Sequence, residues 1–482
     1  MRQNLTFNGG LMQKSFEIKG LWWIPEKPDK KYRGSLKYIP NKGIYLEIEG
    51  IFGELLDINN TEMYDAILGI SNKNELITLS KCWVKNISIG FPKPPSSTYF
   101  AHLLFVGGHF EKPESALFDR VYVKYAYLDE WVNIYGFQIN QEHDETGSFS
   151  IKYQKPADIN ETINDNLTVS IRFNIQLAIP TLVKKELHPK QTTYLYLKFS
   201  DPTCFEDYVH LVFVLQNFFT LATCEEVFLM ELIGIIESNK QAQEGKTIHP
   251  NVRIYFIPIS KVSQEKEIYP HQMFFTYTDI KDKFGIILKN WIEKEETLRP
   301  FYNLYFAVQY NSSLFSENKF LNYVQALETY YGRLYNGGYL PESTCKEIYD
   351  CLVSAIPDLS IDGYKDFKMS LTQRLKYINE YSLRKKLKVL VNGTGDLFDK
   401  YVENRNLFVE SVVDTRNYLT HYSTNLEHSA AKGTDIFQLA QKMQILIEIL
   451  MLREIGFNLD EIRQIFHKNN RYRSLEAGEG AK

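Results

Sequence analysis

The spacing of apolar residues changes near Lys281, and this change constrains the fold more than any other feature of the chain. Before it, short runs such as SFEIKGLWWIP alternate apolar and polar residues and end at turn residues, as strands do. From there to about His467, apolar residues recur at helical spacing. The pattern predicts an α+β multidomain protein, in which a β-rich, sandwich-like N-terminal domain precedes an all-α helical bundle.

Several local elements follow from turn and cap residues. RGSLKYIPNKGIYLEIEG predicts a hairpin that turns at Pro40 to Gly43. Glu206 to Ala222 predicts a helix among the strands. In IKDKFGIILKNWIEKEETLRPFYNLYFAVQY, Pro300 predicts the start of a second helix, because proline suits the first helical position. We expect domains at 1–295 and 296–470, with a flexible tail at 471–482.

Composition excludes several classes of protein. The 482 residues carry a net charge of −4, so any contact with nucleic acid must be local and not a basic coat. The five cysteines are scattered and form neither a disulfide framework nor a zinc motif. The N-terminus lacks an apolar core, and no apolar run reaches the roughly 20 residues of a membrane span. We therefore expect a soluble, cytoplasmic protein that does not contact a membrane.

The segment VVDTRNYLTH, Val412 to His421, holds the residues best suited to chemistry. On a helical wheel, one narrow apolar stripe predicts the core face: Phe408, Val412, Thr415 and Leu419. The polar residues opposite this stripe are Glu410, Asp414, Asn417 and His421. Arg416 lies on a flank between the two faces. His421 is therefore not predicted to be a core histidine, although a solvated polar face would give the same pattern.

An arginine and a histidine suit cleavage of RNA, because RNA carries its own nucleophile, the 2′-hydroxyl. Histidine titrates near neutral pH and can act as general base or acid. Arginine stays protonated and presents a planar fork to phosphate oxygens. Such a site needs no metal and no other cofactor. Asn417 could orient the imidazole of His421 or contact phosphate, and Asp414 could fix its tautomer.

Three segments together resemble a known family. RNYLTH, Arg416 to His421, resembles the Arg-x4-6-His signature of HEPN ribonucleases, in which a polar residue such as Asn417 often follows the arginine. FLNYVQALETYYGRLY, Phe320 to Tyr335, resembles the leading HEPN helix of ApeA-type anti-phage proteins. Phe16 to Gly50, with GLWWIP, resembles the opening strands of their N-terminal domain.

This resemblance implies an abortive-infection effector. Its N-terminal domain would sense a phage-derived trigger or gate the enzyme, and its HEPN domain would cleave RNA, with tRNA favoured, without a metal. The resemblance also implies a homodimer in which two Arg416/His421 pairs meet.

Other charged residues are secondary candidates. Glu328 borders the predicted core stripe of its helix, where it could serve the site or form a structural pair with a basic residue. The densest basic cluster could guide RNA or could be a solvated helix face: Arg384, Lys385, Lys386 and Lys388. In GLWWIP, Trp22 and Trp23 point to opposite faces of a strand, so at least one should be core.

Two classes of function stay open. The first is a metal-independent endoribonuclease gated by its N-terminal domain. The second is a non-catalytic module, in which the bundle binds RNA or protein and the β domain recognises a partner. The two share a fold and differ in the role of His421.

Overall fold

The chain divides into an N-terminal unit, Met1–Ile292, and a C-terminal unit, Glu293–Lys482. The structure is a computed structural model. It describes residues 12–53, 63–90, 92–141, 149–176, 188–237, 241–243, 246–248, 251–257, 266–335, 337–422 and 424–475.

Strands dominate the N-terminal unit. In chain order they are β1 (Phe16–Trp23), β2 (Tyr32–Ile39), β3 (Gly43–Ile48), β4 (Met63–Ser71), β5 (Leu76–Gly90), β6 (Lys93–Val106), β7 (Leu117–Phe118), β8 (Arg120–Tyr125), β9 (Phe137–Gln141), β10 (Phe149–Tyr153), β11 (Ile159–Asn164), β12 (Leu167–Gln176), β13 (Lys190–Phe199), β14 (Thr203–Cys204), β15 (Leu229–Ile235), β16 (Gln241–Gln243), β17 (Lys246–Ile248) and β18 (Asn251–Phe256). Twelve of these described strands form one sheet in the order β11-β12-β13-β8-β15-β18-β6-β3-β2-β1-β4-β5.

The first six strands close on themselves through β6. Tyr99 of β6 is paired both with Leu46 of β3 and with Val84 of β5. Further along, β6 continues onto β18, where Leu104 pairs with Tyr255. The predicted hairpin is confirmed as β2 and β3, which are joined where Gly43 has a φ of 134°. The β-rich N-terminal part and the helical C-terminal part are as predicted. Twelve of the described strands belong to a single sheet.

Both tryptophans of GLWWIP pack inside the N-terminal unit. Trp22 is fully buried, and a Cβ on Gly69 would lie 2.3 Å from its ring, so only glycine leaves room for it. Trp23 is also buried, with its ring edge-on to His109 at 5.4 Å. His109 in turn shares a 2.8 Å hydrogen bond with the carbonyl of Gly69. Burying each ring stabilises the fold by roughly 1.5–3 kcal/mol, so both side chains act in sheet packing.

Helices carry the rest of the chain. They are α1 (Leu128–Val132), α2 (Phe205–Thr223), α3 (Tyr277–Ile280), α4 (Phe284–Gln309), α5 (Ser316–Leu334), α6 (Glu342–Ser354), α7 (Tyr364–Leu375), α8 (Leu383–Asn392), α9 (Arg405–His421), α10 (Thr434–Glu454), α11 (Leu459–Lys468) and α12 (Asn470–Arg473). Helix α2 confirms the predicted helix among the strands. It is held to the sheet by apolar burial and by the Tyr125 hydroxyl, which donates to the Val212 carbonyl at 2.6 Å.

The prediction that a new helix starts at Pro300 is wrong. Helix α4 runs unbroken from Phe284 to Gln309, with Pro300 inside it. An interior proline removes one helical hydrogen bond and costs about 3 kcal/mol. Leu298 and Phe301, on either side of the proline, are fully buried. Burial of these side chains offsets the cost and keeps the helix continuous.

Helix α10 is the centre of the C-terminal unit. Every residue from Met443 to Leu452 is buried, as expected for a helix surrounded by others. Its buried Glu448 accepts hydrogen bonds from Tyr305 and Tyr472, both at 2.7 Å, and from Gln444 at 2.8 Å. Burial and this carboxylate raise the pKa of Tyr305 well above its usual value. The carboxylate therefore joins three segments of the bundle.

The chain stays packed beyond the point where a tail was predicted. Helix α12 contains Tyr472, which is buried and stacks on Phe466 with ring centroids 4.4 Å apart. The expected flexible tail from residue 471 is therefore wrong for this helix, because the buried ring and its bond to Glu448 fix it. Residues 476–482, which complete that predicted tail, lie outside the described residues.

Candidate active site

Helix α9 is fixed at its start by side-chain caps. The side-chain amide oxygen of Asn404 accepts from the backbone N–H groups of Asn406 and Leu407 at 2.8 and 3.1 Å. The Arg405 guanidinium donates two hydrogen bonds to the Asp399 carboxylate, at 2.5 and 2.8 Å. That contact raises the pKa of Arg405 further above its usual value. These bonds set the direction and register of the helix that bears Arg416 and His421.

The buried face of α9 agrees with the wheel in most positions. Phe408, Val412 and Thr415 are buried as predicted, and Val409 joins them, whereas Leu419 is half-buried. Thr415 is a polar residue in this face, and its hydroxyl accepts from the backbone N–H of Ala431 at 2.9 Å. This hydrogen bond holds the segment that follows α9 against the helix.

Arg416 is half-buried, and most of its donors are unused by the residues that the structure describes. One guanidinium nitrogen donates to the Asn417 side-chain oxygen at 3.1 Å. Among the described residues it has no other hydrogen-bond or ion-pair partner. The remaining N–H groups of its planar fork can therefore donate hydrogen bonds to an anion such as phosphate.

His421 is the last residue of α9 and is exposed. Tyr422 follows with a φ of 48°, a left-handed conformation that ends the helix. Within the described part of the chain, the imidazole makes no hydrogen bond, neither to Asn417 nor to Asp414. Both of its nitrogens are therefore accessible to a ligand.

Two of the supporting candidates, Asp414 and Glu328, differ in their contacts. Asp414 is directed at α8, where its carboxylate lies 3.8 Å from the guanidinium of Arg384. This pair joins the basic cluster to the candidate active-site helix. Glu328 on α5 is half-buried, and its carboxylate has no hydrogen bond or ion pair to any described residue. The structural pairing considered for Glu328 is therefore not observed with any described basic residue.

The basic residues of α8 face different ways. Leu387, Leu390 and Val391 bury one side of the helix. Lys385 and Lys388 are exposed, and Lys386 is half-buried. The four basic residues thus surround the solvent-facing half of α8, with Arg384 nearest to α9.

Sequence reasoning missed Lys432 and Tyr418. The Lys432 ammonium lies 5.2 Å from the centre of the Tyr418 ring and 3.1 Å from a Glu427 oxygen. Tyr418 belongs to the last turn of α9, between Arg416 and His421. Lys432 reaches Tyr418 because the chain turns back towards α9 after the helix ends. No local spacing of residues in the sequence predicts that turn.

Two family models match this chain. The model described as ApeA N-terminal domain 1 matches residues 17–291, more than half of the chain, and Apea-like HEPN matches residues 321–461. The chain belongs to the ApeA-type HEPN proteins. The two matches together support membership of a family of anti-phage HEPN effectors. Comparisons with curated proteins and with solved structures find no significant match.

The HEPN match of this ApeA-type protein covers the whole candidate site. Arg416, His421, Glu328 and helix α8 all lie within it. Among the described helices, none is long and apolar enough to cross a membrane.

Proposed function

We propose that this protein is a metal-independent endoribonuclease of anti-phage defence, with Arg416 and His421 as its catalytic residues. The observation that carries the proposal is the state of these two side chains. One capped helix within the HEPN match bears a guanidinium, whose donors are mostly unused by the described residues, and an exposed imidazole. They supply a cation for the phosphate and a group for proton transfer.

In the proposed reaction, a histidine removes the proton from a ribose 2′-hydroxyl. The 2′-oxygen attacks the adjacent phosphorus, and the bond from phosphorus to the 5′-oxygen breaks. The leaving 5′-oxygen takes up a proton, so the products are a 2′,3′-cyclic phosphate and a 5′-hydroxyl. Arg416 stabilises the charge that develops on the phosphate oxygens.

A homodimer fits the geometry of the helix. Residues five apart on an α-helix leave the axis about 140° apart and about 7.5 Å along it. Arg416 and His421 of one chain therefore diverge. A second copy of α9 facing the first would place the arginine of one chain near the histidine of the other, so that each active centre takes one residue from each chain.

Supporting roles follow from observed contacts. Asn417 positions the Arg416 fork through their 3.1 Å hydrogen bond. Asp414 keeps Arg384 beside the active-site helix. Arg384, Lys385, Lys386 and Lys388 attract the RNA backbone, for which tRNA is the favoured source. Glu328, a half-buried carboxylate without a partner in the described part of the chain, assists as a proton acceptor or by orienting a neighbour.

The N-terminal unit is proposed to sense infection and gate the nuclease. Its outward sheet face holds a cavity of about 670 Å³, with exposed charges that include Lys19, Arg33, Glu47 and Glu49. These four side chains have no ion-pair partner among the described residues. Such a charged surface suits a phage-derived protein trigger.

RNA integrity after induced expression tests the proposal. The wild-type chain, together with a trigger where one is needed, should fragment cellular RNA, with tRNA affected first. His421→Ala and Arg416→Ala should leave RNA intact at equal protein levels. Equal RNA patterns from all three proteins under phage infection would remove the nuclease and favour a non-cleaving binding module.

A further inference from the structure

A groove lined by tyrosines lies next to the start of helix α8. It has a volume of about 970 Å³ and is formed by the loop after α5, the start of α6 and the end of α7. We call it the tyrosine groove and define it by Tyr339, Tyr349, Tyr381, Lys346, Lys376 and Asn379. Helices α6 and α7 bury none of their described residues, so the groove opens to solvent.

The floor of the groove is held by Asn379. Its side-chain oxygen accepts from the Leu340 N–H at 2.8 Å, and its amide donates to the Leu340 carbonyl at 2.9 Å. The Asn379 carbonyl also accepts from the Tyr339 N–H at 3.1 Å. A Cβ on Gly338 would lie 2.5 Å from the Asn379 amide nitrogen, so the close approach needs glycine. The groove is therefore formed before any ligand binds.

The tyrosine rings are arranged for stacking. Tyr339 and Tyr381 meet edge to face with ring centroids 4.8 Å apart, and the residue Tyr339 is 53% exposed. The Tyr339 hydroxyl donates to the Ser382 side-chain oxygen at 3.4 Å, and Tyr381 packs against buried Tyr331 with ring centroids 6.3 Å apart. Fixed rings with open faces can stack on flat ligands without a large ordering cost.

The surroundings of the rings are cationic. Lys346 and Lys376 are exposed in the groove, and Lys385 places its ammonium 5.6 Å from the centre of the Tyr381 ring. None of these lysines has an ion-pair partner among the described residues, and Glu342 is the carboxylate that also lines the groove. The excess of positive charge favours a polyanion over a protein surface as the occupant.

Helix α8 connects the groove to the proposed catalytic centre. Lys385 faces Tyr381, and its neighbour Arg384 pairs with Asp414 on α9 at 3.8 Å. Asp414 precedes Arg416 by two residues. A single RNA strand that follows α8 from the tyrosines therefore reaches α9 at Asp414, on the helix that bears Arg416 and His421.

We propose that the tyrosine groove binds unpaired bases of single-stranded RNA next to the cleavage point, with its lysines on the flanking phosphates. The inference rests on the proposed ribonuclease function and adds a base-binding subsite to it. Unpaired bases stack on aromatic rings irrespective of sequence, whereas bases within a duplex cannot reach them. The groove thus selects loops and single strands as substrates.

Fluorescence anisotropy with a labelled single-stranded RNA of mixed sequence tests this directly. The full-length chain carries His421→Ala so that the RNA stays intact. Adding Tyr339→Ala or Tyr349→Ala should weaken binding about 5- to 150-fold, the range for loss of one stacked base. Tyr339→Phe keeps the ring and should bind like the parent. Tyr377→Ala should do so too, because Tyr377 is 63% exposed and lies outside the groove lining. A duplex of the same sequence should bind more weakly than the single strand.

Unchanged affinity in both alanine variants would overturn the proposal, and so would an equal loss in Tyr339→Phe and Tyr339→Ala. Cleavage is scored separately in chains that retain His421. Loss of RNA binding in the alanine variants without any cleavage by the parent would reject the nuclease and keep the groove. Cleavage that requires His421 but is unchanged by the groove substitutions would reject only the proposed RNA-binding role of the groove.

Discussion

At the scale of single residues, the proposed chemistry depends on the shape of Arg416 as well as its charge. Among the described residues, the guanidinium shares one hydrogen bond, with Asn417, and its other donors lie unused in the same plane. A lysine would keep the charge and lose the fork. Arg416→Lys should therefore lower RNA cleavage by at least about 10-fold, while the free energy of unfolding changes by less than about 0.5 kcal/mol. Cleavage assays and urea unfolding check this, and full activity in the variant would contradict it.

Glu448 is the residue on which we expect the stability of the bundle to depend most. Three donors point at its buried carboxylate. Glu448→Ala leaves them unsatisfied and opens a cavity, so the C-terminal unit should lose about 3–5 kcal/mol. Glu410→Ala, at an exposed position on α9, is the matched control and should stay within about 0.5 kcal/mol. Similar urea midpoints for the two variants would refute this role of Glu448.

At the scale of secondary structure, the start of α9 determines where its far end lies. Asn404 caps two backbone N–H groups there. Asn404→Ala should destabilise the C-terminal unit by about 1 kcal/mol, whereas Asn404→Asp keeps the acceptor and should cost much less. Hydrogen exchange in the first turn of α9 measures this. Equal exchange in the two variants would show that the cap contributes nothing.

Elements with a regular apolar period were predictable from sequence. The β2–β3 hairpin and helices α2 and α9 follow from turn residues and spacing, because these features depend on neighbours in the chain. The unbroken α4 was not predictable, since burial around Pro300 overrides the local preference for a helix start. Nor was α12, because Tyr472 is fixed by Glu448, 24 residues earlier.

In the candidate site too, local features were predictable from the sequence and tertiary contacts were not. The wheel placed His421 off the core face and Arg416 on a flank, and both positions agree with their burial. The ion pair of Asp414 with Arg384 and the return of Lys432 to Tyr418 join residues from different segments. Such contacts arise from tertiary packing, which one sequence does not encode in any local pattern.

At the scale of the whole molecule, the proposed dimer predicts complementation. If an active centre takes Arg416 from one chain and His421 from another, each inactive variant still contributes one intact residue. A mixture of Arg416→Ala and His421→Ala chains, unfolded and refolded together, should recover cleavage that neither has alone. Recovery should reach a fraction of the wild-type rate set by the share of mixed dimers. A mixture as inactive as its components would contradict a site shared between chains.

The central claim is that Arg416 and His421 cleave RNA through its own 2′-hydroxyl. The most direct test incubates the purified full-length chain, with its trigger where one is required, with tRNA in excess EDTA and identifies the new ends. We predict fragments with 2′,3′-cyclic phosphate and 5′-hydroxyl ends, and a loss of about 10²- to 10⁴-fold in rate for His421→Ala. Cleavage that stops in EDTA, yields 5′-phosphate ends or persists in His421→Ala would contradict the account.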